Sequence, residues 1–172
     1  MTDNLDWEER KRNGAEQVVI LGASNVAIGL SRLVFSLREV IPIETELKLL
    51  IAGGHGRSYG KDSAVFVRRL PGILNCGLWE KLEKTQHVEP DNSSCRLRAL
   101  LTDIGNDLIY GVSVERLYNW VAECVRRLQV YNADIVMTGV PLESLAQLSS
   151  LRYSLTQKLF FPKNSSSHQT MV

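Results

Sequence analysis

Val18-Val19-Ile20-Leu21-Gly22-Ala23-Ser24-Asn25 joins two different hydrophobic patterns. Up to Leu21 the residues are continuously apolar, as in a strand buried on both faces. From Val26 to Val40 the apolar residues Val26, Leu30, Leu33, Val34 and Leu37 recur at spacings of three and four, the period of a helix. A strand that passes so abruptly into a helix puts the junction at the carboxyl edge of a sheet, where open α/β folds gather their ligands. Ser24 stands at that junction. The helix start turns unpaired backbone N–H groups and a positive dipole end toward it, which favours negative charge developing there.

Working outward, segments 17–22, 47–52, 97–102 and 134–139 are short apolar runs ended by Gly, Asp or Pro, and each reads as a strand buried on both faces. Helical patterns lie between them. The clearest is 113–131, capped by Ser113, with Val114, Leu117, Tyr118, Val121, Val125 and Leu128 on one face. A shorter helix is expected over 62–70, before Pro71-Gly72, and another over 142–161, broken near Ser149-Ser150. Residues 83–96, with Pro90-Asp91-Asn92-Ser93-Ser94, read as a polar surface loop. Alternating strands and helices predict an α/β fold: a mostly parallel sheet covered on both faces. The domain is expected at 17–161, after a polar segment 1–16 and before a tail, 162–172, with nothing to bury.

Composition narrows the function classes. A chain of 172 residues that is 44% hydrophobic can build one domain with a core. Its 20 basic and 19 acidic side chains leave a net charge of +1, which argues against nucleic acid or an anionic membrane as partner. No apolar run is long enough to span a bilayer, and Met1 to Glu16 lacks the apolar stretch of a secretory signal. Cys76, Cys95 and Cys124 have no metal-ligand spacing and read as reduced thiols. A cytoplasmic location follows as the expectation.

Three strand-end loops carry the residues that suggest chemistry. The first holds Ser24. The second, Gly53-Gly54-His55-Gly56-Arg57-Ser58-Tyr59-Gly60, has the backbone freedom to bring an N–H close to a ligand. The third, Asp103-Ile104-Gly105-Asn106-Asp107, can aim the Asn106 amide at the same point. A serine, a glycine N–H and an asparagine amide make a nucleophile and an oxyanion hole, in which one donor is worth about 2.7–4 kcal/mol of transition-state stabilisation.

In these three blocks the chain resembles the SGNH (GDSL-like) hydrolases over roughly residues 17–160. Ile20-Leu21-Gly22-Ala23-Ser24-Asn25 is similar to the family's first block, with Ala23 where Asp is usual and Ser24 as nucleophile. Gly54-His55-Gly56-Arg57-Ser58 is similar to the glycine block, Gly56 being the best match for the oxyanion glycine and Gly54 the second. Ile104-Gly105-Asn106-Asp107, the most specific of the three, supplies Asn106 as the other oxyanion donor. The resemblance implies a flavodoxin-like three-layer α/β/α domain. It also implies hydrolysis of esters, thioesters or acetylated sugars with no metal or other cofactor, the partner being a small ester or acyl substrate. Nothing in the sequence fixes an oligomeric state.

One block does not match. The family places a histidine base, with an aspartate three residues before it, near the C-terminus. Ser165 stands three before His168, while His55 lies in the glycine loop and His87 in the expected surface loop. A serine needs a neighbouring base to become a useful nucleophile, so esterase activity is expected near background. Only four of the five strands of a 2-1-3-4-5 sheet are found, leaving Ile135-Val136-Met137-Thr138 as a bare apolar edge. The chain is therefore expected to be the N-terminal portion of a longer hydrolase, or a truncated relative.

Blander readings stand beside these. Ser24 alone would serve as a helix cap, and Asn106 or the glycines as turn residues. Asp103 and Asp107 read as loop-ordering carboxylates, Arg57 as a solvated or loop-bracing charge, and Tyr59, Trp79, Tyr110 and Trp120 as core or rim. Gly56-Arg57-Ser58-Tyr59-Gly60 also matches the G-x-S-x-G nucleophile elbow, with Ser58 as the rival serine. A Rossmann-like nucleotide site is disfavoured, because Asn25 and Ile28 stand where its glycines belong. A non-catalytic α/β binding module is the third alternative.

Overall fold

The computed structural model describes residues 15–65, 68–87 and 96–139. The strands are β1 (Ala15–Leu21), β2 (Glu46–Ala52), β3 (Ser63–Val65), β4 (Arg68–Leu70), β5 (Arg96–Leu101) and β6 (Asp134–Met137). The helices are α1 (Ser24–Val40), α2 (Leu78–His87), α3 (Asn106–Ile109) and α4 (Val114–Gln129), with one 3-10 turn at Ile73–Asn75. β2, β1, β5 and β6 pair in that order, all parallel, and β3 pairs with β4 as a separate antiparallel hairpin. Helices cover the four-stranded sheet in a three-layer α/β fold whose strand order matches the first four strands of the 2-1-3-4-5 arrangement.

Alternation along β1 builds both layers. Val18 and Ile20 turn to one face, where Val26, Leu33 and Leu37 of α1 pack on them with Leu47, Leu49 and Leu100. Val19 and Leu21 turn to the other, joining Leu97, Ala99 and Leu101 under Leu82 of α2 and Leu117, Val121, Cys124 and Leu128 of α4. Leu82 and Leu128 are fully buried, so truncating either to Ala costs about 2–5 kcal/mol. Gln17, buried in β1, donates from Nε2 to Thr85 Oγ1 at 2.9 Å and accepts from Gln86 Nε2 at 2.7 Å, pinning the end of α2 near the start of β1.

Several expectations change. Only β1 is close to buried throughout. β2 and β6 are the edges, β5 alternates, and Val136 is 63% exposed. Where a helix was expected over 62–70, residues 63–65 and 68–70 pair as the antiparallel strands β3 and β4; Asp62 Oδ1 accepts the Gly72 N–H at 3.0 Å beside them. The expected surface loop 83–96 begins instead as the last turns of α2, through His87. In α4, Ser113 caps as expected, accepting the Arg116 N–H at 3.3 Å. Val114 and Tyr118, however, face outward, and Cys124 fills the inward stripe. Burial pushes its thiol up to about 12. The expected helix over 142–161, the tail 162–172, the segment 1–14 and Cys95 lie outside the described residues. No helix among the described residues is long and apolar enough to cross a membrane.

Candidate functional site

The carboxyl ends of β1, β2 and β5 carry the Ser24, glycine and Asn106 loops, and two aspartates of the third loop tie the other two to it. Asp103 reaches back to the start of α1. Its Oδ2 accepts the Ala23 N–H at 2.7 Å and the Asn25 N–H at 3.2 Å, while its Oδ1 accepts Asn25 Nδ2 at 2.5 Å. These are orphan donors that every helix start must satisfy. Here the acceptor comes from a strand tip distant in sequence rather than from the capping position.

That arrangement overturns the reading of Ser24 as a helix cap. Ala23 occupies the cap position, and Ser24 is the first residue of the helix. With Asp103 in the capping role, the half-buried Ser24 hydroxyl makes no hydrogen bond among the described residues.

Asp107 ties down the second loop. It is buried, accepts the Ser58 hydroxyl on Oδ1, and accepts the Tyr59 N–H on Oδ2 at 2.9 Å. Ser58 Oγ in turn accepts the N–H groups of Gly60 at 3.2 Å and Lys61 at 2.9 Å. Burial holds the Asp107 carboxyl above the usual aspartate range, although its bonds to Ser58 and Tyr59 and the nearby Lys61 pull the other way. The Tyr59 phenol donates to the Thr102 carbonyl at 2.8 Å, and burial, then Cys124, Asp107 and Asp103, push its ionisation well up. It is therefore a neutral strut across the base of the site.

The first and second loops meet directly, through the Gly54 N–H donating to the Ala23 carbonyl at 3.1 Å. Gly54 (φ 149°) and Gly56 (φ 70°) both hold backbone conformations that only glycine adopts without strain. Gly56 is buried, and its N–H donates to no acceptor among the described residues. Asn106 opens α3, its backbone N–H donating to the Asp103 carbonyl at 3.1 Å, and its half-buried carboxamide is likewise unclaimed among the described residues. Ser24, Gly56 and Asn106 thus occupy three adjoining loops at one end of the sheet.

The other serine and the histidines stand in different surroundings. Ser58 is fully buried and spends its hydroxyl on Asp107; a hairpin follows it, not the helix an elbow requires. His87 ends α2 beside Gln86, at the opposite edge of the sheet, and His55 is exposed at the tip of the glycine loop. His168 lies outside the described residues. No group of three or more His, Cys, Asp or Glu that could hold a metal occurs among the described residues.

Of the two readings of Arg57, a solvated or a loop-bracing charge, the second holds. It braces the loop, donating from Nη1 to the Gly53 carbonyl at 3.3 Å, and it is buried instead of solvated. No sequence signal marks this, since a charge in a glycine loop ordinarily stays in water. The long reach of Asp103 was equally invisible, because nothing local links residue 103 to residue 23. Comparison of the chain with known protein families, with curated proteins and with solved structures finds no match.

Proposed function

We propose that this chain carries a serine acylhydrolase site of SGNH type, acting on an ester, thioester or acetylated sugar. Ser24 Oγ attacks the acyl carbon. The negative charge that develops on the carbonyl oxygen is received by the N–H groups of Ser24 and Gly56 and by the Asn106 carboxamide. The observation that carries this reading is one of occupancy. Asp103 and Asp107 consume the neighbouring backbone donors and the Ser58 hydroxyl, while the nucleophile and all three oxyanion donors are left without a partner among the described residues. The free thiols Cys76 and Cys124 suit a reducing compartment, so we place the protein in the cytoplasm.

The proton of Ser24 still needs an acceptor. The family's histidine base, three residues after an aspartate, has no counterpart in the sequence. Loss of the base alone costs about 10⁶-fold in kcat in a serine protease, whereas an oxyanion hole by itself retains about 10³-fold over water. Turnover of p-nitrophenyl acetate by the chain is therefore expected near the buffer rate. Stoichiometric labelling is the better assay. A fluorophosphonate forms a bond from Ser24 Oγ to phosphorus, expels fluoride and releases the serine proton to solvent.

Peptide mapping after long incubation should place the adduct on Ser24, with none in Ser24→Ala. An adduct on Ser58 would revive the elbow. The lack of an Asp-x-x-His base in the sequence favours a second reading, a non-catalytic module that keeps these loops for binding; no adduct anywhere is its signature.

A further inference from the structure

We infer that the Arg57 guanidinium holds an anionic oxygen group, a carboxylate or phosphate, of the ligand that enters beside Ser24. Arg57 is 9% exposed. A guanidinium is permanently charged and carries five N–H donors. Among the described residues only one is engaged, by the Gly53 carbonyl, and the buried Nε has no partner.

A buried cation demands a counter-charge, and no carboxylate among the described residues forms an ion pair with Arg57. Asp103 serves Ala23 and Asn25, and Asp107 serves Ser58 and Tyr59. The ion pairs among the described residues join other partners: Glu46–Lys48, Glu16–Arg98, Asp134–Arg96 and Glu123 with Arg126 and Arg127.

The position of the guanidinium says where the anion comes from. Gly53, whose carbonyl it holds, presses on the first turn of α1 so closely that an added Cβ would lie 2.6 Å from Val26. The next residue, Gly54, bonds to Ala23, one before Ser24. Lys61 adds a second cation on the same loop; burial, then Arg116, lowers its hold on a proton while Asp107 opposes this. A ligand oxyanion here can take the open Arg57 donors in the paired geometry that guanidinium groups favour. The inference deepens the acylhydrolase reading by naming its substrates, acyl compounds with a negatively charged group. Its binding half stands without that reading.

The test titrates the intact chain with inorganic phosphate and, separately, with acetate, following the amide resonances of residues 22–25 and 53–61 together with thermal stability. Saturable shifts confined to these loops are expected. Arg57→Gln should weaken binding about tenfold or more, and Arg57→Lys less. Phosphate and acetate that leave these resonances unmoved, or binding unchanged in Arg57→Gln, overturn the inference. If Arg57→Gln does not fold, the wild-type titration and the Arg57→Lys variant decide. Anion binding at these loops with no fluorophosphonate adduct on Ser24 would remove the acylhydrolase reading and leave the anion site.

Discussion

Ser24 and Ser58 both sit in glycine-containing loops that leave the carboxyl ends of neighbouring parallel strands, yet the fold treats them in opposite ways. Ser58 lies in the better five-residue match to a nucleophile motif, and its hydroxyl is buried, donates to Asp107 and accepts from Gly60 and Lys61. Ser24 lies in the looser match, and its hydroxyl is half-buried and uncommitted among the described residues. A motif reports that a serine is near a strand tip. Whether its hydroxyl is spent on structure depends on which carboxylates arrive from the rest of the fold. Here both come from the loop after β5, and they release one serine while consuming the other.

The largest effect follows from removing the carboxylate that consumes Ser58. Asp107→Ala leaves the Ser58 hydroxyl and the Tyr59 N–H buried without acceptors, at about 1–3 kcal/mol each, so a loss of about 4 kcal/mol is expected in urea denaturation. This carboxyl also carries a pH dependence of known sign. Because burial raises its pKa, the unfolded chain releases the proton first as pH rises, and stability falls from the ordinary aspartate value up to the folded one. Below that window the contribution is fully present. Asp107→Asn cannot ionise, so its stability relative to wild type should rise as pH increases above the ordinary aspartate value, about pH 4. A constant or falling difference would show that the carboxyl is not raised.

Ser58→Ala removes one arm of the same brace and strands an Asp107 oxygen, which should cost about 2–3 kcal/mol. Asp103→Ala uncaps α1 and should cost about 2 kcal/mol, the upper end for a cap. Ser24→Ala should change stability by no more than about 0.5 kcal/mol, as for a side chain that carries no structural bond. Equal costs for Ser24→Ala and Ser58→Ala would erase the distinction between the two serines, and with it the argument that Ser24 is kept for chemistry.

Much of the scaffold was legible in the chain. The four parallel strands and α4 appear within a few residues of their expected bounds, because continuous apolar runs and a long three-four periodicity are strong signals. The pairing of β3 with β4 was not, since Ala64, Val65, Phe66 and Val67 fit either period and the β-branched Val65 and Val67 with the aromatic Phe66 were the clue. α2 was half read as loop, although Trp79, Leu82 and the Glu-Lys pairs around them favour a helix. The loops of the site could be located from their glycines and Asn106. Their mutual bracing could not, because the decisive bonds from Asp103 and Asp107 span the chain and depend on strand order.

A crystal structure of the chain bearing a phosphonate adduct tests the central claim most directly. The account predicts phosphorus bonded to Ser24 Oγ, with its free oxygen about 2.7–3.1 Å from the Ser24 N–H, the Gly56 N–H and Asn106 Nδ2. An adduct on Ser58, or one on Ser24 whose oxygen meets none of those three donors, would contradict it.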